Sequence, residues 1–444
     1  MKRYIIVCSA AAAAVVLIVS CYCCAQSKNG GSEVSSGSSA ADSTLPGSSH
    51  EQDSSSNQGS QSDTAMGSSG GSSEKKPGSG GSLNKESAVS RPPLSSNQSS
   101  QTSSTYNGDR KKMTDLCNSI INSELPRLKS TQLSNGAIPM YNIKGGGKSR
   151  MNPYFACSAA LGLLEAGEHE AVKKYINWHF SHLETRDVNG LSGTIYDYEI
   201  TVLGGSISET PLNDYDSTDS YAALFLILLD EYAAKTGDKA PVLDQRAKVD
   251  KVLGAMEATL SGSLTYAKPT YKVQYLMDNC EVYAGFLSAA RLYENIYGDA
   301  AKAAHCKSRA ALIKNGIESL WRASSGTYDW AKGSASDTAK FYADGSAQLF
   351  PVMFGAIAPD SQRAKQIYAD FKKHHKAWIK GTNSGDYPWT ILLRTVLAHG
   401  DYDTAYEYLS NVNALYAGGG DYRWYSQEQG VAVWAAIKLK NALS

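Results

Sequence analysis

The chain has 444 residues, and its 43 Lys and Arg balance 43 Asp and Glu. Without net charge, and with no basic block or stripe, it is poorly suited to nucleic acid or to acidic membrane surfaces. Of eight cysteines, only Cys117, Cys157, Cys280 and Cys306 lie beyond the N-terminal region. They are widely spaced with no CxxC or CxxxH pattern, so no metal site is expected; buried thiols are the expectation, with an export-associated disulfide as the alternative.

The first segment, 1–21, has the layout of a secretory signal. Met1-Lys2-Arg3 is basic, Tyr4 to Ser20 is apolar with small residues at its centre, and the run is short for a stable membrane span. Ile18-Val19-Ser20-Cys21 resembles the lipobox of bacterial lipoproteins. Acylation of Cys21 would anchor the chain to the membrane, since each buried methylene contributes about 0.8 kcal/mol. An uncleaved anchor helix is the alternative, and either places the remainder outside the cytoplasmic membrane, with the extracellular face as the expected location.

Residues 22–105 are dominated by Ser and Gly, too poor in apolar surface to offset the entropy of ordering them. A flexible coil of about 80 residues spans on the order of 50 Å, suited to holding a domain clear of a cell wall.

From 106 to 444 the pattern is helical, and no convincing strand run appears. Twelve segments with helix periodicity follow one another: Lys111–Glu124, Tyr154–Ala166, Glu168–Leu183, Ser217–Lys235, Val242–Leu260, Val273–Tyr297, Ala300–Trp321, Ser346–Ile357, Ser361–His374, Tyr387–Ala398, Tyr402–Asn411 and Tyr425–Leu443. Gly167, Gly237, Gly298 and Gly400 mark helix stops. Twelve helices paired by turns predict an all-α, (α/α)6 toroid; a helical solenoid is the alternative, but no fixed repeat is visible. The long Gly- and aromatic-rich connections, Asn135–Asn152, Asp187–Asp216, Tyr328–Gly345 and Ala417–Tyr425, each precede an even-numbered helix. They therefore predict one functional face.

Carboxylates cluster where those helices begin. Asp214, Asp216 and Asp219 open the fourth, Asp278 and Glu281 lie in the sixth, Asp344 precedes the eighth, Asp386 the tenth, and Glu428 opens the twelfth. Asp216/Asp219 and Asp278/Glu281 are three apart, which would put each pair on one helical face. Glycosidic cleavage needs two carboxyls in different protonation states, and sugar rings need aromatic platforms. Trp330, Trp389, Trp424, Tyr215, Tyr221, Tyr342 and Tyr425 adjoin the carboxylates and, with Asp344 and Asp386, are expected to bind substrate. Helix capping explains Asp214, Asp344 and Asp386 equally well. His169, His179, His182, His305, His374, His375 and His399 occupy outer or exposed-looking positions without HExxH spacing, and no GxSxG, phosphate-loop or dinucleotide fingerprint is present.

Asp216-Ser217-Thr218-Asp219-Ser220-Tyr221-Ala222-Ala223 resembles the Ser-Asp-Ala-Asp stretch that opens an inner helix in family 8 glycoside hydrolases. Through it the domain resembles the six-hairpin glycosidase superfamily. The resemblance implies inverting hydrolysis of a β-linked polysaccharide without a cofactor, with the Asp residues serving sugar binding and catalysis; a monomer is expected. It departs at the family's acid, a Glu in a Ser-Glu-Gly-like turn entering the second helix. Here that stretch is Arg150-Met151-Asn152-Pro153-Tyr154-Phe155. The acid must then come from elsewhere, with Glu199, Glu281 and Glu428 as candidates. The rivals to an enzyme are a degenerate barrel that binds glycans without cutting them and, third, a polysaccharide lyase.

Overall fold

The computed structural model describes residues 109–383 and 387–444. The signal segment with Cys21, the Ser/Gly segment and Asp386 lie outside the described residues.

Among the described residues twelve helices build the ring: α1 Arg110–Thr131, α2 Pro153–Glu165, α3 His169–Ser181, α4 Thr218–Thr236, α5 Arg246–Ala258, α6 Leu276–Asn295, α7 Ala300–Ser319, α8 Phe350–Met353, α9 Gln362–His374, α10 Leu393–Ala398, α11 Tyr402–Tyr416 and α12 Ser426–Leu443, with the single turns Ala240–Leu243 and Lys376–Ile379 in the connections. Local chemistry sets their ends. Gly167, Gly237, Gly298 and Gly400 all have positive φ, between 65° and 81°, the left-handed conformation that stops a helix cheaply only in glycine. Asp299 and Asp401, each directly after such a glycine, accept from Lys302 N (3.0 Å) and Thr404 N (3.1 Å) and start the next helix.

The even-numbered helices form the inner ring. Along it α2 packs on α4, α4 on α6, α6 on α8, α8 on α10, α10 on α12, and α12 returns to α2. Burial follows this arrangement. Every residue of α4 from Thr218 to Ala233 is buried, whereas α9 buries only the stripe Ala364, Ile367, Tyr368 and Phe371, the spacing of a one-faced outer helix. The (α/α)6 toroid expected from the sequence is the observed fold.

Glycine closes the ring. A Cβ on Gly162 of α2 would lie 2.2 Å from the Gly430 carbonyl oxygen of α12, and one on Gly430 would lie 2.6 Å from Ala159 Cα. On the neighbouring seam a Cβ on Gly285 of α6 would lie 2.8 Å from Ala223 Cα of α4. Bare backbone lets these helices approach face to face, and any side chain must push them apart. Gly430→Ala is expected to lower stability by about 1–3 kcal/mol or more. By contrast Gly254→Ala, on exposed α5 with nothing within 4 Å, should raise it by about 0.5–1 kcal/mol through helix propensity. Urea melts of the two variants check the contrast.

Two expectations need correction. Strands are present: β1 Gly147–Met151, β2 Tyr198–Leu203 and β3 Ser206–Pro211 form an antiparallel sheet in that order, built from two of the long connections. Tyr198, Ile200 and Val202 point into the core while Glu199 and Thr201 point outward, so the alternation is genuine but short. Nor are all histidines peripheral. His179 is buried and stacks on Phe225 at 3.5 Å, and His375 is buried against Gly345. All four domain cysteines are free, buried thiols.

Candidate active site

The connections entering the inner helices meet at one end of the ring, and side-chain bonds between them show it. Tyr154 at the start of α2 donates to Glu281 Oε1 of α6 at 2.6 Å. Asn152, which caps α2, donates to the Tyr221 hydroxyl of α4 at 2.6 Å. Phe155 of α2 packs on Tyr425, next to α12, at 4.8 Å between rings. Glu428 of α12 accepts from Thr390 N, at the entry to α10, at 2.8 Å.

Four of the expected carboxylates gather here; Asp278 and Glu281 lie three apart on α6 as expected, whereas Asp216 and Asp219 do not form a pair on one helix. Ser217 caps α4, its hydroxyl accepting from Ser220 N at 3.0 Å, so Asp216 precedes the helix and shares no face with Asp219. Asp216 is exposed. Asp219 is fully buried, its Oδ1 accepting from the Ser217 hydroxyl (2.6 Å) and Ser220 N (2.9 Å). On α6, Glu281 is buried while Asp278 remains partly open to solvent. Solvent therefore reaches Asp216 and Asp278, with Asp219 and Glu281 behind them.

Their protonation follows from these surroundings. Loss of hydration pushes Asp278 well above the ordinary carboxylate range, reinforced by the charges of Asp219, Glu281 and Asp216. Burial lifts Glu281 to about 8, against the Ser220 and Tyr154 hydroxyls that favour its charged form. Asp219, also buried but held by more donors, reaches about 6. Asp216 is raised too, first by the walls of the groove, but Lys268 and Arg150 oppose the rise. One end of the ring thus holds, within reach of solvent, a carboxyl pushed strongly toward its protonated form and a second whose upward shift two cations oppose.

Several residues that support this arrangement were not legible in the sequence. Asp197 is completely buried and gathers donors from three elements. Arg150 Nε (2.9 Å) and Asn152 Nδ2 (3.2 Å) bond its Oδ2, and the Tyr221 hydroxyl bonds its Oδ1 at 2.9 Å. Arg150 and Asp197 are 47 positions apart, and no local signal pairs them. Tyr271 and Tyr275, linked through their hydroxyls at 3.0 Å, line the approach to Asp278.

The aromatic residues divide into two groups. Tyr342 is 47% exposed and its ring lies 5.0 Å from partly exposed Trp389. Its hydroxyl is pushed up by the surrounding protein and by Asp216 and Asp278, which places it beside both carboxylates. Trp330, partly exposed, packs on Tyr275 at 5.7 Å. Trp389 has a φ of 59°, unusual for a bulky residue, and the Thr390 N–H that follows is held by Glu428. Tyr215, Tyr221, Trp424 and Tyr425 are buried instead, which corrects their expected role as sugar platforms. Trp424 stacks on Tyr416 at 4.9 Å and donates to Glu124 at 2.9 Å, leaving no face for a ligand. Tyr215 donates to Asp187 at 2.7 Å.

The other candidates are placed differently. Glu199 lies on β2, not in a loop, paired with Lys148 at 2.7 Å. Glu428 is buried, pushed up to about 7 by burial, and spends an oxygen on Thr390. Asp344 accepts from Asp337 N at 2.7 Å and organises its own connection. Asp214 is exposed and paired with Lys268 at 2.7 Å.

No protein-family model matches the sequence, and no curated protein matches it. Solved structures do match in shape. A glycosidase carrying a Glu-to-Ala substitution is 15% identical with a TM-score of 0.55, covering 75% of this chain and 99% of its own. A Tyr-to-Phe variant of a glycosidase is 16% identical at a TM-score of 0.54, covering 75% and 99%. A further Glu-to-Ala variant, in complex with glucose, is 15% identical at 0.53, covering 76% and 99%. The fold is that of the six-hairpin glycosidases. At this identity the likeness is one of architecture, and the narrower similarity to family 8 rests on the stretch around Asp216 alone.

Proposed function

We propose that this chain is a glycoside hydrolase, anchored by lipid at Cys21 to the extracellular face of the membrane, that cleaves a polysaccharide. The observation that carries the reading is the placement of Asp278 and Asp216 at the open end of the ring, with Asp219 and Glu281 buried behind them and with Lys268 and Arg150 acting on the charge of Asp216. Asp278 gives its proton to the glycosidic oxygen as the bond to the anomeric carbon breaks. Asp216, ionised, takes a proton from the water that attacks that carbon. Lost hydration favours the proton on Asp278, and the neighbouring charge of Asp219 adds to it. Tyr342, Trp389 and Trp330 offer apolar faces to the CH sides of sugar rings. Inversion at the anomeric carbon is what the family 8 likeness implies.

The test is incubation of the protein with a panel of polysaccharides, scoring new reducing ends and, by NMR, the first anomer formed. New ends are expected with at least one polymer. Loss of membrane partition on Cys21→Ala tests the anchor. One observation favours a second reading, a barrel that binds glycans without cutting them: the stretch where family 8 enzymes carry their acid is here Arg150-Met151-Asn152-Pro153-Tyr154-Phe155, without a carboxylate, and its Arg150 bonds Asp197. Binding across the panel without new reducing ends would establish that reading instead.

A further inference from the structure

Asp216 lies in the short irregular stretch between the end of β3 at Pro211 and the start of α4 at Thr218, and its backbone is held by an unusual route. The Tyr221 hydroxyl has one proton and two lone pairs to place. Its proton goes to Asp197 Oδ1 at 2.9 Å, so both lone pairs turn outward. One accepts from Asn152 Nδ2 at 2.6 Å, the other from Asp216 N at 3.4 Å. The main chain of Asp197 joins in: its N–H donates to the Asp214 carbonyl at 2.9 Å, and its carbonyl accepts from Leu212 N at 2.8 Å. Asp197 therefore grips the connection at Leu212 and at Asp214, just ahead of Asp216, and fixes the sense of the hydroxyl that holds Asp216.

Asp197 would be costly to bury with its charge unopposed. Arg150 opposes it from β1, bonding through Nε and Nη2 to one oxygen, with its side chain 30% exposed. Nη1 has no hydrogen bond among the described residues, and the guanidinium lies close enough to Asp216 to act on its charge.

We propose that Asp197 and Arg150 are positioning residues for Asp216: the pair fixes its backbone through Tyr221 and sets the local charge in which it works as a base. This rests on the assignment of Asp216 in the proposed hydrolase. The other groups around Asp216 are Asp214 on its own connection, Lys268 opposite, Asp278 on α6 and Tyr342 at the entry to α8. None of them is bonded to the Arg150–Asp197–Tyr221 chain except Asp214, through its carbonyl.

The test is the pH dependence of kcat/KM, measured on the full chain with whichever polysaccharide it cleaves. The two ends of the ion pair should move the acidic limb in opposite directions. Arg150→Gln removes a cation, so Asp216 ionises later and the limb moves up by about half to one pH unit. Asp197→Asn removes a negative charge and leaves Arg150 facing Asp216, so the limb moves down by a similar amount. Tyr221→Phe removes the acceptor without altering charge, so kcat should fall about tenfold or more with the limb unmoved. Thermal midpoints show which variants fold. Arg150→Gln, at a partly exposed side chain, carries the test if Asp197→Asn does not fold. A purely structural pair would lower the midpoint and leave the limbs in place, which would overturn the proposal. Full activity in Asp216→Asn would instead overturn the assignment of Asp216 itself.

Discussion

Replacing Asp278 by Asn is expected to cut the rate of glycan cleavage by about 10²–10⁴-fold, the usual contribution of a positioned acid, while the ring of helices forms as before. The expectation depends on the proton that Asp278 holds. Lost hydration and three neighbouring carboxylates favour its neutral form, and an amide copies the shape of that form without its acidity. Stability should change in a defined direction. Because the folded chain binds this proton more tightly than the unfolded chain, stability falls as pH rises from near 4 toward the raised pKa. Asn cannot lose a proton, so the variant should melt at or above the parent at neutral pH and fall less steeply as the pH is raised. Turnover and thermal midpoint measured together decide the matter. A variant that melts early but cleaves normally per folded molecule would make Asp278 a structural residue.

The largest loss of stability is expected at the opposite end of the same two helices. Asp230 of α4 and Arg291 of α6 are both nearly buried, with Arg291 Nε bonding Asp230 at 2.8 Å and Nη2 bonding the Ser288 hydroxyl at 3.0 Å. Removing one partner leaves the other charged in a dry seam, so Asp230→Ala should cost about 3–5 kcal/mol. Replacing both residues by apolar ones of similar volume should recover much of that loss. Urea melts read the difference. Activity per folded molecule should stay near the parent value in both, because Asp219, Asp278 and Glu281 lie at the other ends of α4 and α6. An Asp230→Ala protein as stable as the parent would show that water reaches the pair.

The architecture was readable because its punctuation is local. A glycine at positive φ followed by an Asp cap is a signal of two residues, and helix periodicity supplies the rest. Short strands were missed because the alternation Tyr198-Glu199-Ile200-Thr201-Val202 lies within a connection already read as loop. The carboxylate cluster was legible as a set of helix starts, but its geometry turned on one residue. Ser217 takes the cap, which leaves Asp216 outside the helix and turns Asp219 inward. Trp424 shows why closeness in sequence misled: it lies four residues before Glu428, yet the extended backbone at Tyr425 (ψ 179°) carries the chain from an outer seam to the inner end. Arg150 and Asp197 meet only through strand pairing across distant connections, which no periodicity reports.

The bare contact between Gly162 and Gly430 also bears on the order of assembly. α2 is made early and its inner neighbour on one side is made last, so the flank of α2 around Ala159 and Gly162 stays uncovered until α12 has been synthesised. Such late, long-range closure is slow and exposes apolar surface meanwhile. If the chain crosses a membrane unfolded, the uncovered period is spent outside the cell, beyond the chaperones of the cytoplasm. Shortening α12 would then open the ring at its seam, and a truncated product should be aggregation-prone and quickly degraded.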